Sequence, residues 1–306
     1  PLSGSLDYLT AHGSAADGTD EAENSASALP VGQNENGKIG ADDRVLYPVL
    51  KSDLRAADFA SLTNQTRLAP DVQTLSQSTP PALQNLTLDG SPLVLIVHTH
   101  GSEGYNECET DGYYDASLAV RSEDVTKNVV SVGTSLAEVL NDFGIATLQD
   151  TTMCDKDSFV RAYKTSAALV RSYLEQYPSI RFVIDLHRDA IIASDGTSTA
   201  PTFSFAGEDT AQLMLVVGTN AAGADHPHWS DNLSLALHIQ KQLSEEYPGL
   251  FRKINLRAAS FNEQLSSGYL LLECGSIANK RSQAERAAKL FGTGLARMIL
   301  CAAQNT

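Results

Sequence analysis

The chain has 306 residues, 37 of them acidic against 22 basic, for a formal net charge of −15. That surplus argues against nucleic acid or an anionic membrane surface as a partner, because both would repel it. With 42% apolar residues and no apolar run near the roughly 18 residues that cross a bilayer, the composition is that of a chain with a packed core.

Residues 1–44 are rich in Gly, Ser, Ala, Asn, Asp and Glu and poor in large apolar side chains, and read as a flexible linker. The opening Pro1 in place of Met points to a chain cut from a longer one. Residues 45–89 begin with Val45-Leu46-Tyr47-Pro48-Val49-Leu50 and continue with scattered Leu54, Leu62, Leu68 and Leu83. They read as an N-terminal extension that either packs on the core or holds a partner. Residues 90–306 are long enough for one sizeable core.

In that part, Leu93-Val94-Leu95-Ile96-Val97 is a continuous apolar run and predicts a strand covered on both faces. A helical stripe of Val125, Val129, Val132, Leu136, Val139 and Leu140 predicts a helix over 122–143, with Ser122 as N-cap and Gly144 as stop. A short strand at 145–148 follows, then a helix from 157 or 158 to about 176 and a second apolar strand from Ile180. The Ser, Thr, Gly and Asp of 190–200 predict a loop bordering a groove. Beyond it come a strand at 213–218, a helix at 232–246, a strand at 269–275 and a last helix at 279–303. This alternation predicts an α/β fold, a three-layer α/β/α sandwich with a mostly parallel central sheet.

The polar residues closing these strands carry the chemistry. The first strand runs into His98-Thr99-His100-Gly101-Ser102-Glu103 and the second into Asp185-Leu186-His187-Arg188-Asp189. His100 and Glu103 have the H-x-x-E spacing in which one turn offers an imidazole and a carboxylate to a single cation. With His187 from a parallel strand they make a three-ligand set for Zn²⁺, and three of only seven histidines fall at the ends of the two most apolar strands. His98 is expected on the same side of its strand as His100, as a supporting or substrate-facing group. Glu273 closes a third apolar strand and is the candidate general base. Asp185 or Asp189 is expected to orient an imidazole from behind. Arg188 is expected as a fixed cation for a peptide carboxylate or oxyanion, with a salt bridge to Asp185 or Asp189 as the structural alternative.

Several segments occur together in order: His98-Thr99-His100-Gly101-Ser102-Glu103-Gly104-Tyr105, Asn128-Val129-Val130-Ser131-Val132-Gly133, Asp185-Leu186-His187-Arg188-Asp189, Val217-Gly218-Thr219-Asn220, His226-Pro227-His228-Trp229, Tyr247-Pro248-Gly249-Leu250 and Leu270-Leu271-Leu272-Glu273. In this combination the chain resembles the stage II sporulation protein P family, itself similar to the zinc N-acetylmuramoyl-L-alanine amidases and akin in fold to zinc carboxypeptidases. The resemblance implies a zinc amidase/carboxypeptidase-like fold and hydrolysis of peptidoglycan, releasing stem peptides and cutting cross-links. It also implies work outside the cytoplasm behind an N-terminal membrane anchor, with a lytic transglycosylase and a membrane scaffold of the engulfment machinery as partners. His226 and Trp229 match a family motif and are expected to border the groove or stabilise a loop. The chain departs from the family pattern after Glu273, where Cys274-Gly275-Ser276-Ile277-Ala278-Asn279 replaces a glycine-rich turn, and at Asn262-Glu263-Gln264. Two other readings remain: a carboxypeptidase-like enzyme on free peptides, and a metal-free wall-binding protein. Cys108 and Cys154 are either a loop disulfide or single thiols, and Cys274 reads as an inert core thiol.

Overall fold

The computed structural model describes residues 37–39, 44–57, 61–115 and 121–304. Most of the segment read as a linker lies outside the described residues. In chain order the first strands are β1 (Lys38–Ile39), β2 (Val45–Ser52), β3 (Leu62–Asn64), β4 (Val94–Val97), β5 (Tyr113–Asp115) and β6 (Thr147–Gln149). They are followed by β7 (Phe182–Asp189), β8 (Ser198–Phe205), β9 (Glu208–Ala211), β10 (Leu213–Gly218), β11 (Ile254–Arg257) and β12 (Tyr269–Ser276). The helices are α1 (Val72–Gln77), α2 (Val129–Asp142), α3 (Ala162–Gln176), α4 (Trp229–Glu246) and α5 (Arg281–Gln304).

Seven strands form the central sheet in the order β3-β11-β10-β12-β7-β4-β6. Every neighbouring pair is parallel except β10 with β12, so two parallel blocks meet at one antiparallel seam. The strands are apolar on both sides because both faces are covered. On one face Leu136 and Leu140 of α2, Leu233 and Leu237 of α4 and Phe291 of α5 join Ile96, Ile184, Leu186, Leu215 and Leu272 in one buried cluster. On the other, Val170 of α3 packs with Leu95, Val97, Val183 and Tyr269. This is the three-layer, mostly parallel arrangement that the alternation of elements predicts. Since side chains alternate along a strand, β7 sends Phe182, Ile184 and Leu186 to the α2 face and Val183, Asp185 and His187 to the α3 face.

Three local expectations change. The helix expected from Ser122 begins at Val129, because Asp124 Oδ1 accepts from the Thr126 N–H and hydroxyl and turns the chain. Asn128 then caps α2 by accepting from Val130 N–H at 3.0 Å. The end of the expected 190–200 loop is already strand, since β8 starts at Ser198 and doubles back into β9 through Ala206 and Gly207, both with positive φ. Residues 45–89 lay β2 into a second sheet, where it pairs with β1, β5 and β8. They also add β3 to the edge of the central sheet, parallel to β11. All four cysteines are free thiols, with Cys108, Cys154 and Cys274 buried and no disulfide between the first two. Cys274 faces the α2 side of the sheet with the core apolar residues, and burial pushes its thiol far up.

Candidate metal centre

Because β4, β7 and β12 run parallel side by side, their carboxyl ends open at one edge of the sheet. β4 ends at Val97; His98 still follows its alternation, but the chain then turns and carries His100 to the opposite face. A turn, closed by Glu103 N–H donating to His100 carbonyl at 3.0 Å, brings His100 and Glu103 together. His100 is buried, with its ring stacked on Phe159 at 4.2 Å and edge-on to Tyr163 and His187 at 5.5 and 5.4 Å. Its Nδ1 is buried without a hydrogen-bond partner and lies 3.9 Å from Asp155 Oδ2. Burial holds His100 down to about 3, so the ring is neutral with a lone pair to give.

Glu103 Oε2 accepts from Arg188 backbone N–H at 3.0 Å and lies 3.4 Å from His187 Nδ1. Burial alone would raise this carboxyl, but His187, Arg188 and His100 outweigh it and hold the group well below the usual carboxylate range. The far side of the His187 ring, Nε2, is 3.1 Å from Asp185 Oδ1. The contact is an ion-pair approach, and no hydrogen bond meets Nε2. Asp185 is itself fixed by Thr99 N–H at 2.8 Å, Thr99 Oγ1 at 2.6 Å and Tyr269 hydroxyl at 3.1 Å. An imidazole with a buried carboxylate at one nitrogen presents the other as a ligand.

In the register of β7 and β12, Glu273 stands beside His187 on the same face. Its Oε2 is buried and without a partner. Burial first, then Asp189 and Glu103, push its carboxyl up to about 8 against the opposing pull of His187 and Arg252. Among the described residues no three His, Cys, Asp or Glu side chains already stand at a common metal-bonding distance. The donor chemistry nevertheless fits a zinc ion: two imidazoles and a carboxylate in contact, with His100 Nδ1 buried and unsatisfied.

The remaining candidates are placed elsewhere. His98 is turned to the α2 face, where its Nδ1 donates to Leu186 carbonyl and its Nε2 accepts from Gln149 Nε2, both at 3.1 Å. It lies against Gly133 so closely that a Cβ there would meet the ring at 2.6 Å, which leaves His98 no access to substrate. Arg188 follows His187 on the strand and so points to the other face, its Nε donating to Gly104 carbonyl at 2.9 Å. Asp189 binds Arg252 Nη1 at 2.8 Å through Oδ2 and does not back an imidazole. His226 is buried 3.8 Å from Glu263 Oε2, and Trp229 packs on the main core at the start of α4. Asp155, Phe159, Tyr163, Arg252 and Arg257 gather near the site without having been singled out in the sequence. For Arg257 a signal existed, since Ile254-Asn255-Leu256-Arg257 alternates apolar and polar residues as a strand does.

A curated relative, stage II sporulation protein P of Bacillus subtilis (strain 168), is 27% identical over 245 residues, which cover 76% of this chain and 56% of that protein. The chain thus spans just over half the length of that relative. Among solved structures, the N-acetylmuramoyl-L-alanine amidase of Clostridium difficile 630 aligns with 70% of this chain and 97% of its own, at 13% identity and a TM-score of 0.41. AmiC2 of Nostoc punctiforme, another N-acetylmuramoyl-L-alanine amidase, aligns over 70% and 97%, at 15% identity and a TM-score of 0.39. The profile of the Stage II sporulation protein P (SpoIIP) family matches residues 32–296, most of the chain, and the chain belongs to that family.

Proposed function

We propose that the chain is a zinc-dependent peptidoglycan hydrolase, an N-acetylmuramoyl-L-alanine amidase that also cuts peptide cross-links during engulfment in sporulation. Family membership supports the sporulation role and the wall substrate. One observation carries the chemistry: His100, Glu103 and His187 meet at parallel strand ends with Glu273 in register beside His187. The same three residues would hold the zinc, which when bound would polarise the amide carbonyl and lower the pKa of a water to about 7. Glu273 would accept the proton of the attacking water at its unpartnered Oε2 and return it to the leaving nitrogen. Burial raises its carboxyl, which favours holding the proton between the two transfers. Asp185 keeps the His187 proton on Nε2, and Arg188 steadies Glu103 through its backbone N–H.

Work on the wall implies an extracytoplasmic site, with a membrane anchor in an N-terminal segment and the lytic transglycosylase and scaffold of the engulfment machinery as partners. Among the described residues no helix is long and apolar enough to cross a membrane. A carboxypeptidase-like activity is the second reading, favoured by the buried cations Arg252 and Arg257 on the Glu273 side of the sheet. Digestion of purified peptidoglycan with and without stoichiometric zinc, read by mass spectrometry, separates the two. Zinc-dependent release of whole stem peptides supports the amidase, and single amino acids from peptide ends support the alternative. Glu273→Gln should keep its zinc and lose roughly 10²–10⁴-fold in rate. Undiminished release by that variant, or by the zinc-stripped protein, would refute the mechanism.

A further inference from the structure

Arg121 is anchored three times to the surroundings of the proposed metal ligands. Its backbone forms an antiparallel bridge with Glu103, extended by Ser122 N–H donating to Ser102 carbonyl at 2.7 Å. Its Nη1 donates to Asp155 Oδ2 at 2.7 Å and to Ser102 Oγ at 2.9 Å. Its guanidinium carbon stands 4.4 Å from the centre of the Phe159 ring, on which His100 also stacks at 4.2 Å. The carboxylate of Asp155 is buried and is fixed in turn by Ser102, whose N–H and hydroxyl donate to its two oxygens at 3.2 and 2.5 Å. The Oδ2 that Arg121 binds lies 3.9 Å from His100 Nδ1, so a single oxygen joins the guanidinium to the nitrogen proposed to meet the metal.

These anchors leave one edge of the fork open. Among the described residues Nε and Nη2 carry no hydrogen bond, and neither is sealed from solvent on a side chain that is 34% exposed. Nε and Nη2 form the side edge of the guanidinium, whose two parallel N–H groups match the two oxygens of a carboxylate. Neutralising Asp155 accounts for Nη1 and leaves this edge unused. Because the Phe159 ring and the buried Asp155 already fix the group, little side-chain freedom remains to be lost when an anion docks. In the order β12-β7-β4-β6, Glu273 lies on β12, His187 on β7, His100 just after β4, and Asp155 in the segment that follows β6. Arg121, held by Asp155, therefore stands across the metal ligands from Glu273.

We propose that Arg121 is the receptor for a free carboxylate of the peptide substrate, docked side-on against Nε and Nη2 across the metal ligands from Glu273. This rests on the hydrolase reading above and gives it a specificity, for peptides bearing a free acid in place of an amide. Titration calorimetry tests it on the Glu273→Gln chain with stoichiometric zinc, so that substrate binds without being turned over. The two ligands are a muropeptide with free carboxylates and the same muropeptide with its carboxylates converted to amides. Loss of a charge-assisted hydrogen-bond pair should weaken the amidated ligand roughly 10- to 100-fold. Adding Arg121→Gln should weaken the free acid by a similar factor and the amide by less than about twofold, while Arg121→Lys, which keeps the charge without the fork, should fall between. A side chain that only steadied Asp155 would, when replaced, weaken both ligands equally or neither. Equal binding of the two muropeptides before that substitution, no binding of the free acid, or equal losses in Arg121→Gln would overturn the proposal. Should Arg121→Gln fail to fold because Asp155 loses its counter-charge, Asp155→Asn added to it removes that charge and the same ratio decides. Release of stem peptides by the unsubstituted chain, with equal binding of both ligands, would sink this inference and leave the hydrolase reading standing. Discrimination between the ligands without release would do the reverse.

Discussion

Tyr269→Phe removes one atom from the support of His187 and leaves the packing of the ring intact. The hydroxyl donates to Asp185 Oδ2 at 3.1 Å, and both residues are fully buried. A hydrogen bond to a buried carboxylate contributes roughly 1.5–3 kcal/mol, and the two Thr99 donors that remain on Asp185 cannot move to replace it. A loss of about 2 kcal/mol corresponds to a fall in Tm of roughly 4–8 °C for a domain of this size. Thermal unfolding is measured at neutral pH with a chelator present, so that metal binding does not enter. Combining the change with Thr99→Val tests the shared partner, and the double variant should lose less than the two single losses added together. A Tm for Tyr269→Phe within about 1 °C of wild type would mean that Asp185 does not depend on this hydroxyl, and the account of how His187 is oriented would fail.

Asp185→Asn should weaken zinc binding by about 10- to 100-fold in a chelator competition, because the amide no longer enforces the Nε2 tautomer of His187; unchanged affinity would remove Asp185 from the metal centre. His98 provides a pH test in the metal-free protein. Its folded pKa is held near 4 by burial, below the unfolded value of about 6.5, so the unfolded chain binds the extra proton first and stability falls as pH drops from 6.5 to 4. The fall from this group is about 3 kcal/mol, and a stability profile that is equally steep in His98→Gln would assign the slope to other residues. Gly218→Ala should destabilise the protein by roughly 1–3 kcal/mol, since the new Cβ must displace the Ala259 backbone and the Glu263 carboxylate bonded to Gly218 N–H; an unchanged melting curve would contradict the close approach of that loop.

What the sequence made legible follows from how apolar each strand is. β4, β7, β10 and β12 are buried on both faces, so their runs stand out, and the polar residues that end them, His100, Glu103, His187 and Glu273, stand out with them. β11 is only four residues long with two polar ones, so its alternation is a weak signal and Arg257 was not singled out. His98 keeps the alternation of β4 and faces the α2 side with Ile96; it was misjudged because that alternation was carried on to His100, which the turn sends to the other face. Arg188 was read by proximity in sequence, whereas strand alternation carries its side chain away from that of His187. Asp155 and Phe159 reach His100 from a loop with no periodic pattern, and contacts of that kind become visible only in three dimensions.

The strand order of the central sheet also sets a timetable for the growing chain. β4, β6 and β7 can pair as soon as residue 189 has been made, but the other edge of β7 waits for β12, and β3 waits for β11. His100, Glu103 and His187 can therefore be gathered well before Glu273 joins them, on a nascent half-sheet whose β7 edge is bare. Such an edge invites pairing with other chains, and long-range parallel pairing is slow to form. On the proposed mechanism the site is completed only in the last steps of folding, so a truncated or stalled product would hold the three proposed metal ligands and lack the proposed base.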